Sequence, residues 1–276
     1  MKKFENIIIA SDLDGTFLSS ECGEVKRNIE KIKYFTENGG LFTFATGRIA
    51  LHVQNALPNA ASYVNAPMVS CNGMQLFDLK KGKTIRRNVV DLELHIEVIQ
   101  YLRRLYPNTF YRTITEGGIA QFQPEHRYAL EELAEKTVDY IYAEPEQLRD
   151  LNVYKLTLRD EPEILDEIKT VIEEKYGDHY HICKSWCDLL EIMTKGYTKA
   201  TMLKDLQAEL SEGGKLKKLY AVGDYENDLE MLSVADVAVC PENAVDSVKA
   251  VCDHCFGDND SGVIADLIEY IDKTVS

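Results

Sequence analysis

The chain has 276 residues, 45% of them hydrophobic and 28% charged, which is enough for a full core in one large domain or two smaller ones. Its formal net charge is −15, and no block rich in lysine and arginine stands out along it. Nucleic-acid binding is therefore not expected, and an anionic substrate would need local cations such as a metal ion and a few specific lysines or arginines.

The first predicted element is the apolar run 7–10, which is typical of a strand buried on both faces of a parallel sheet. Ser-Asp-Leu-Asp-Gly-Thr follows it at residues 11–16. Residues i and i+2 of an extended chain point to the same side, so Asp12 and Asp14 face one spot. Two acids aimed at one spot repel each other unless a cation or a shared proton intervenes. The simplest interpretation is a bound Mg²⁺ with one carboxylate kept as a nucleophile.

Buried strands and amphipathic helices alternate on both sides of a long central segment of mixed pattern. The alternation covers residues 1–86, resumes at 195–276, and is typical of a doubly wound parallel sheet. Residues 87–194 instead mix short strand-like runs with helical patterns, which indicates an inserted α+β domain. We therefore predict an α/β protein with a discontinuous Rossmann-like core and an inserted second domain.

Polar residues follow the predicted strands of this core at the points where the strands end. In an open parallel sheet, ligands bind just beyond the carboxyl ends of the strands, so these residues are expected to meet at one crevice. They come from segments far apart in the sequence, and this convergence is stronger evidence for a site than any single motif. The residues are Asp12 and Asp14 after strand 7–10, Thr46 after 41–45, Asn72 after 68–71 and Asp224 after 219–222.

Several segments of the chain, in order, resemble the motifs of a known enzyme superfamily. They are Asp12-Leu13-Asp14-Gly15-Thr16, Thr46-Gly47-Arg48, Lys199 and Gly223-Asp224-Tyr225-Glu226-Asn227-Asp228. Together they resemble the four motifs of the haloacid dehalogenase superfamily. Further similarity to its Cof-type subfamily of sugar-phosphate phosphatases lies in Asn72-Gly73, in Asp260-Ser261-Gly262-Val263 and in the position of the insert. The insert resembles the type IIB cap in length, position and mixed pattern.

The resemblance implies a phosphatase that works through an aspartyl-phosphate intermediate. Asp12 is expected to attack the phosphorus, while Asp14 serves as general acid to the leaving alcohol and then as base for the hydrolytic water. Mg²⁺ is expected to bind the Asp12 carboxylate, the main-chain carbonyl of Asp14 and Asp224. Asp228 is expected to orient that metal shell.

The resemblance also implies how the transferring phosphoryl group is held. Thr46 is expected to donate a hydrogen bond to it, and Lys199 to neutralise it and steady the nucleophile. Arg48 suits a structural salt bridge as well as it suits a substrate contact. The further contacts to the phosphate or the metal shell are expected at Asn72, Asn227, Gly47 and Arg48.

The expected substrate is a small phosphomonoester, most simply a sugar phosphate or a similar metabolite. The insert is expected to cover the crevice as a cap and to select the substrate by size. Two alternatives stay open: a phosphotransferase of the phosphomannomutase type, and a non-catalytic protein that binds a phosphorylated metabolite on the same fold. Substrate contacts in the cap are predicted, from side-chain type and placement, at Tyr111, Arg112, Glu116, Arg127 and Trp186.

Cysteine usage and the N-terminus indicate a cytoplasmic protein without a membrane partner. The seven cysteines are an odd number scattered along the chain, which indicates reduced thiols. The N-terminus runs into the first strand without a signal-peptide core, and no apolar stretch approaches the ~20 residues of a membrane span. Neither Cys183 with Cys187 nor Cys252 with Cys255 has a well-spaced partner pair, so we interpret Cys255 as part of a short apolar strand.

Overall fold

A computed structural model of the chain describes residues 2–134, 140–211 and 217–275. The strands are β1 (Ile7–Ser11), β2 (Leu41–Phe44), β3 (Met68–Ser70), β4 (Gln75–Asp78), β5 (Lys83–Arg87), β6 (Phe110–Thr115), β7 (Gly118–Gln121), β8 (Tyr140–Tyr142), β9 (Val153–Arg159), β10 (Tyr180–Trp186), β11 (Leu189–Thr194), β12 (Lys218–Val222), β13 (Val237–Pro241) and β14 (His254–Phe256). The α-helices are α1 (Lys26–Glu37), α2 (Ala50–Ala56), α3 (Leu92–Leu105), α4 (Arg127–Ala134), α5 (Pro162–Tyr176), α6 (Lys199–Glu209), α7 (Leu229–Val234), α8 (Asp246–Lys249) and α9 (Val263–Thr274).

These elements fall into two compact units. We call the first the core unit; it comprises Met1–Arg48, Val53–Arg87 and Thr198–Ser276. The second, the inserted unit, comprises Ile49–His52 and Asn88–Tyr197. Among the described residues, no helix has the length and apolar character needed to span a membrane.

The core unit is built on a five-stranded parallel sheet with the order β14-β13-β12-β1-β2. A parallel bridge between Ala45 and Val69 connects the end of β2 to β3, which begins a three-stranded antiparallel sheet with β4 and β5. Every residue of β1 is buried, as its continuous apolar sequence predicts for a central parallel strand. The predicted α/β fold with a doubly wound parallel sheet is confirmed.

Helices flank this sheet and hold its strands in place. On one face, the alternate residues Ile8 and Ala10 of β1 pack with Met202 of α6 and Met231 of α7. Helices α1 and α9 contact each other, and they also contact strands β2, β13 and β14. Because the central strands are covered in this way, polar side chains gather beyond the strand ends.

The inserted unit contains a six-stranded sheet with the order β10-β11-β9-β6-β7-β8. Its neighbouring strands run antiparallel except for β7 and β8, which are parallel. Helix α5 contacts β10 and β11, and α3 contacts β9. The unit therefore has the α+β character that its mixed sequence pattern predicts.

Candidate active site

Asp12 is fixed just past the end of β1, where the main chain leaves the sheet. Its N–H donates to the carbonyl oxygen of Val222 at 2.8 Å, so the last rung of the β1–β12 ladder holds it. The chain then turns tightly through Leu13–Phe17, and the N–H of Leu18 closes the turn on the carbonyl of Leu13 at 2.8 Å. Asp12 is only 6% exposed, so its carboxylate faces the protein interior.

Gly15 allows this turn to approach the loop after β12. Its φ of +73° is in the left-handed region, and a Cβ added here would lie 2.5 Å from Oδ2 of Asp224. The next residue, Thr16, donates its hydroxyl to Oδ1 of Asp224 at 2.6 Å. The Asp-x-Asp-Gly-Thr sequence thus brings a glycine and a hydroxyl against a carboxylate more than 200 residues away.

Lys199 enters the same region as the first residue of α6. Thr198 caps this helix by accepting a hydrogen bond from the N–H of Thr201 at 3.3 Å. Gly73, in the turn after β3, packs so closely on the helix start that an added Cβ would lie 2.2 Å from the carbonyl oxygen of Thr198. The side chain of Lys199 is 1% exposed, and its ammonium group donates to Asp12 at 2.6 Å and to Asp228 at 2.7 Å.

Asp228 is fully buried and connects Lys199 to the loop after β12. One of its oxygens accepts from Lys199, and the other accepts from the N–H groups of Asp224 at 3.0 Å and Tyr225 at 3.4 Å. Carboxylate oxygens of Asp12, Asp224 and Asp228 all lie within 4.8 Å of one another. Three predicted site residues from two distant segments therefore form one buried acidic cluster.

The electrostatics of this acidic cluster favour a cation. Burial raises the pKa of Asp12 well above its usual range, and the charge of Lys199 opposes that rise. Burial raises the pKa of Asp224 to about 7, and the neighbouring Asp228 adds to the rise. One ammonium faces three carboxylates, which leaves excess negative charge. These are hard oxygen donors, so the cluster fits a divalent ion such as Mg²⁺.

The loops after β2 and β3 meet beside the nucleophile loop. Thr46 is fully buried; its N–H donates to the carbonyl of Val69 at 2.9 Å, and its carbonyl accepts from the N–H of Asn72 at 2.9 Å. Its hydroxyl accepts from the N–H of Arg48 at 3.1 Å. Gly47, between them, is half-buried. The structure therefore brings together the predicted residues of these two strand ends.

Asp14 lies outside the buried acidic cluster and forms an ion pair. Its side chain is 51% exposed and accepts two hydrogen bonds from Arg48, one of them from Nε at 2.8 Å. Of the two roles predicted for Arg48, a structural salt bridge and a substrate contact, this pair is the salt bridge. Asn227 is half-buried in the short turn Glu226–Asp228 that leads into α7.

Two of the predicted cap contacts lie on β6 with their side chains buried. Tyr111 is 0% exposed, and its hydroxyl donates to the carbonyl of Tyr106 at 2.9 Å. Arg112 is 8% exposed, and its Nε donates to the hydroxyl of Thr157 at 3.2 Å. Both side chains thus contribute to the structure of the inserted unit.

The other three predicted cap contacts lie on separate, more exposed elements. Glu116, in the turn after β6, accepts from the side-chain amide of Asn152 at 2.8 Å. Arg127 begins α4 and forms a salt bridge with Glu161 at 2.8 Å. Trp186 ends β10 and is 53% exposed.

Two asparagines that sequence reasoning missed hold the nucleophile loop. The side-chain amide of Asn243 donates to the carbonyl of Gly15 at 2.7 Å, and its oxygen accepts from the N–H of Asn259 at 3.0 Å. The amide of Asn259 donates in turn to the carbonyl of Leu18 at 2.9 Å. A local signal was present, because Asn243 lies two residues after the end of β13 and Asn259 directly precedes the Asp-Ser-Gly-Val segment.

Comparison with known proteins identifies the family. A model of haloacid dehalogenase-like hydrolases matches residues 9–268, and the chain belongs to this family. The predicted haloacid dehalogenase relationship is thereby confirmed, and so is the prediction of a hydrolytic enzyme.

Similar proteins of full length are named phosphatases. The chain is 28% identical to the pyridoxal phosphate phosphatase YbhA of Escherichia coli, over 95% of this chain and 97% of that protein. It is 25% identical to the 5-amino-6-(5-phospho-D-ribitylamino)uracil phosphatase YwtE of Bacillus subtilis, over 95% of this chain and 97% of that protein. The solved structure of a subclass IIB sugar phosphatase of the superfamily has the same fold as this chain, with a TM-score of 0.82 and 20% identity. The match covers 96% of this chain and 98% of that one. This likeness supports the predicted fold with its type IIB cap.

Proposed function

We propose that this protein is a Mg²⁺-dependent phosphatase that hydrolyses small phosphomonoesters through an aspartyl-phosphate on Asp12. The observation that carries the proposal is the buried Asp12 carboxylate, paired with Lys199 beside Asp224 and Asp228 at the end of β1 and β12. The family membership and the phosphatases among its relatives support the same reaction.

Asp12 has the properties that a nucleophile at phosphorus needs. The hydrogen bond from Lys199 fixes the rotation of its carboxylate, and the ammonium charge favours the ionised form in a buried place. In the proposed reaction, an Asp12 oxygen forms the new bond to phosphorus while the ester bond to the alcohol breaks. Water then attacks the phosphorus of the aspartyl-phosphate, releasing inorganic phosphate and restoring the carboxylate.

The proposed metal ligands are the carboxylates of Asp12 and Asp224 and the main-chain carbonyl of Asp14. When bound, Mg²⁺ supplies the positive charge that shields these acids and the phosphoryl oxygens from one another. Asp228 lies in the same cluster, but its oxygens accept from Lys199 and from main-chain N–H groups. We therefore assign Asp228 the role of orienting Asp224 and Lys199.

Asp14 is the proposed general acid and base. Its carboxylate is held by Arg48, which must release it before Asp14 can donate a proton to the leaving alcohol. An entering phosphoryl group offers the guanidinium another anionic partner, and this exchange would free Asp14 when substrate is present. Thr46 and Asn72, whose main chains are hydrogen-bonded to each other, are the proposed phosphoryl contacts.

The proposed substrates are sugar phosphates or similarly small phosphorylated metabolites. The two relatives named above act, by their names, on pyridoxal phosphate and on a phosphorylated ribitylamino-uracil. We propose that residues 87–194 act as the cap that selects among such esters. In this proposal, the cap side chains to test are Arg112, Glu116, Arg127 and Trp186. Tyr111 supports strand β6, which carries Arg112.

The test is phosphate release from an aryl phosphate and a panel of sugar phosphates, with Mg²⁺ or with EDTA. Wild type is compared with Asp12→Asn, and Asp178→Asn in an exposed turn is the matched control. We expect Asp12→Asn to lower kcat by more than about 1,000-fold, because the nucleophile is lost, and EDTA to abolish activity. Unchanged release in Asp12→Asn would exclude the proposed covalent route. Isomerised sugar phosphate without free phosphate would indicate a phosphotransferase instead.

A further inference from the structure

Three cysteines that the proposed phosphatase reaction does not use come together at the β14 edge of the core sheet. Cys240 lies in β13, and Cys255 is its direct partner in β14. Cys252 lies just before β14, where the N–H of Asp253 donates to the carbonyl of Ala238 at 2.8 Å and holds this segment beside β13. Cys240 is buried, Cys252 is partly buried and Cys255 is exposed.

The thiol of Cys240 is the centre of this group. It interacts with the thiols of both Cys252 and Cys255, and Cys252 packs against the apolar cluster that contains Cys240. A hydrogen bond between Cys240 and Cys252 lowers the pKa of Cys252 and raises the pKa of Cys240. Cys252 therefore has the greater thiolate character, and it is also the more accessible of these two thiols.

We propose that Cys252 and Cys240 are a redox pair that forms a reversible disulfide when the protein meets a hydroperoxide. Cys252 is the thiolate that reacts first, since it is partly accessible and stabilised by its neighbour. Cys240 is shielded from the oxidant but lies next to the sulfur that becomes oxidised. It therefore acts as the resolving thiol.

The disulfide forms in two steps, oxidation of Cys252 by the peroxide and attack of Cys240 on the oxidised sulfur. The Cys252 thiolate attacks the peroxide, so an S–O bond forms, the O–O bond breaks and the alkoxide or hydroxide leaves with a proton from solvent. The sulfur of Cys240 then attacks the sulfenic acid, an S–S bond forms, and hydroxide leaves as water with the proton of Cys240. Both sulfurs are oxidised and the peroxide is reduced. A small thiol reverses the reaction by exchange.

Strand geometry favours Cys252 over Cys255 as the partner of Cys240. Direct partners on neighbouring strands stand about 4.8 Å apart, and pairing of β13 with β14 holds Cys240 and Cys255 in this way. A disulfide needs Cβ atoms only about 3.8 Å apart, so that bridge would strain the ladder. Cys252 lies before β14, so the fixed distance between paired residues of β13 and β14 does not determine its distance from Cys240. Partial desolvation and the neighbouring thiol of Cys240 also raise the pKa of Cys255, so Cys255 has less thiolate character than Cys252.

The experiment counts thiols in the purified full chain after treatment with hydrogen peroxide. The samples are alkylated under denaturing conditions, and mass spectrometry measures the mass of the intact chain. Peptide mapping without reduction then identifies the cysteines that form the bridge. Wild type and the control Cys187→Ser, which removes an exposed thiol of the inserted unit, should each lose two alkylated sites and regain them with dithiothreitol. The mapped bridge should join Cys240 to Cys252.

The variants separate the two roles. Cys252→Ser should lose no thiols under the same treatment, and Cys240→Ala should hold Cys252 as a sulfenic acid that dimedone traps. Circular dichroism confirms the fold of each variant, and Cys240→Ser replaces Cys240→Ala if the latter is unfolded. Full alkylation of the oxidised wild type, or a bridge between any other pair, overturns the proposal.

Discussion

Lys199 provides the positive charge that allows three carboxylates to share one buried region. It is almost fully shielded from solvent, and its ammonium group contacts Asp12 and Asp228 directly. The nearby carboxylates hold the pKa of Lys199 above its usual range, which outweighs the effect of burial. The residue is therefore charged over the whole physiological range, and its removal leaves buried negative charge without compensation.

Lys199→Met tests this role of Lys199. With EDTA present at pH 7, we expect the free energy of unfolding to fall by about 3–5 kcal/mol, the usual cost of breaking a buried ion pair by removing one partner. Denaturant titration measures it. Lys204→Met, in the same helix, is the control and should change little, because Lys204 pairs only with the neutral Gln207 among the described residues. Equal stability of the two variants would contradict the role assigned to Lys199.

At the residue scale, the sequence was sufficient to predict which polar residues lie at the strand ends. It was not sufficient to predict which side chains of distant loops pair with each other. Asp12 and Asp224 could be placed because a buried apolar run shows where a parallel strand ends. The choice of Arg48 between salt bridge and substrate stayed open, since it depends on how the loop after β2 approaches Asp14. Asn243 was missed because a lone asparagine after a strand has no distinctive periodicity.

At the element scale, the nucleophile loop between β1 and α1 is held by side chains from the C-terminal part of the core unit. Asn243 holds its middle through Gly15, and Asn259 holds its end through Leu18. The two asparagines are also hydrogen-bonded to each other at 3.0 Å. Because this loop carries the proposed nucleophile, its position matters more for turnover than for overall stability.

Asn243→Ala removes the contact to the middle of that loop. We expect kcat/KM with an aryl phosphate to fall about tenfold, since the loop loses a positioning hydrogen bond, while the free energy of unfolding falls by only about 1–2 kcal/mol. Steady-state kinetics and denaturant titration measure the two effects. Glu242→Ala, at the exposed neighbouring residue, should leave both unchanged. A kinetic loss equally large in Glu242→Ala would show that the whole turn, not the hydrogen bond, is responsible.

In the inserted unit, helix α3 is tied to β6 by a buried histidine. His95 is 1% exposed, its Nε2 lies 3.1 Å from the hydroxyl of Thr113, and burial lowers its pKa to about 3. In the unfolded chain, His95 becomes protonated as the pH falls below about 6.5, whereas in the folded protein it stays neutral at that pH. Stability from this residue is therefore full above about pH 6.5 and is lost as the pH falls toward 3.

His95→Gln should flatten this acid dependence. For wild type, the linkage amounts to about 2 kcal/mol less stability at pH 5 than at pH 7 from His95 alone. We expect the difference between the two pH values to shrink by about that amount in the variant, as measured by denaturant titration of the unfolding transition of the inserted unit. His179→Gln, at an exposed position, serves as the control. An unchanged slope in His95→Gln would assign the pH dependence to other groups.

At the scale of the whole molecule, the alternation of strands and helices on both sides of residues 87–194 was sufficient to predict the parallel sheet. Each strand is a local apolar run, and the order β14-β13-β12-β1-β2 follows the rules for parallel connections. Burial of charge could not be foreseen in the same way. It depends on how closely Gly15 and Gly73 let separate loops approach, which only the three-dimensional structure shows.

The buried acidic cluster makes the stability of the core unit depend on its cation. Mg²⁺ that binds only the folded state should raise stability by about 2.7 kcal/mol at 100 times its Kd. Thermal unfolding in EDTA and in Mg²⁺ at equal ionic strength measures this. Asp224→Asn should be more stable than wild type in EDTA, because a buried charge is removed while its oxygen still accepts from Thr16, yet it should lose most of the gain from Mg²⁺. The control Asp178→Asn should respond as wild type does. A gain in Asp224→Asn as large as in wild type would place the cation away from this cluster, and the proposed metal ligands would then be wrong.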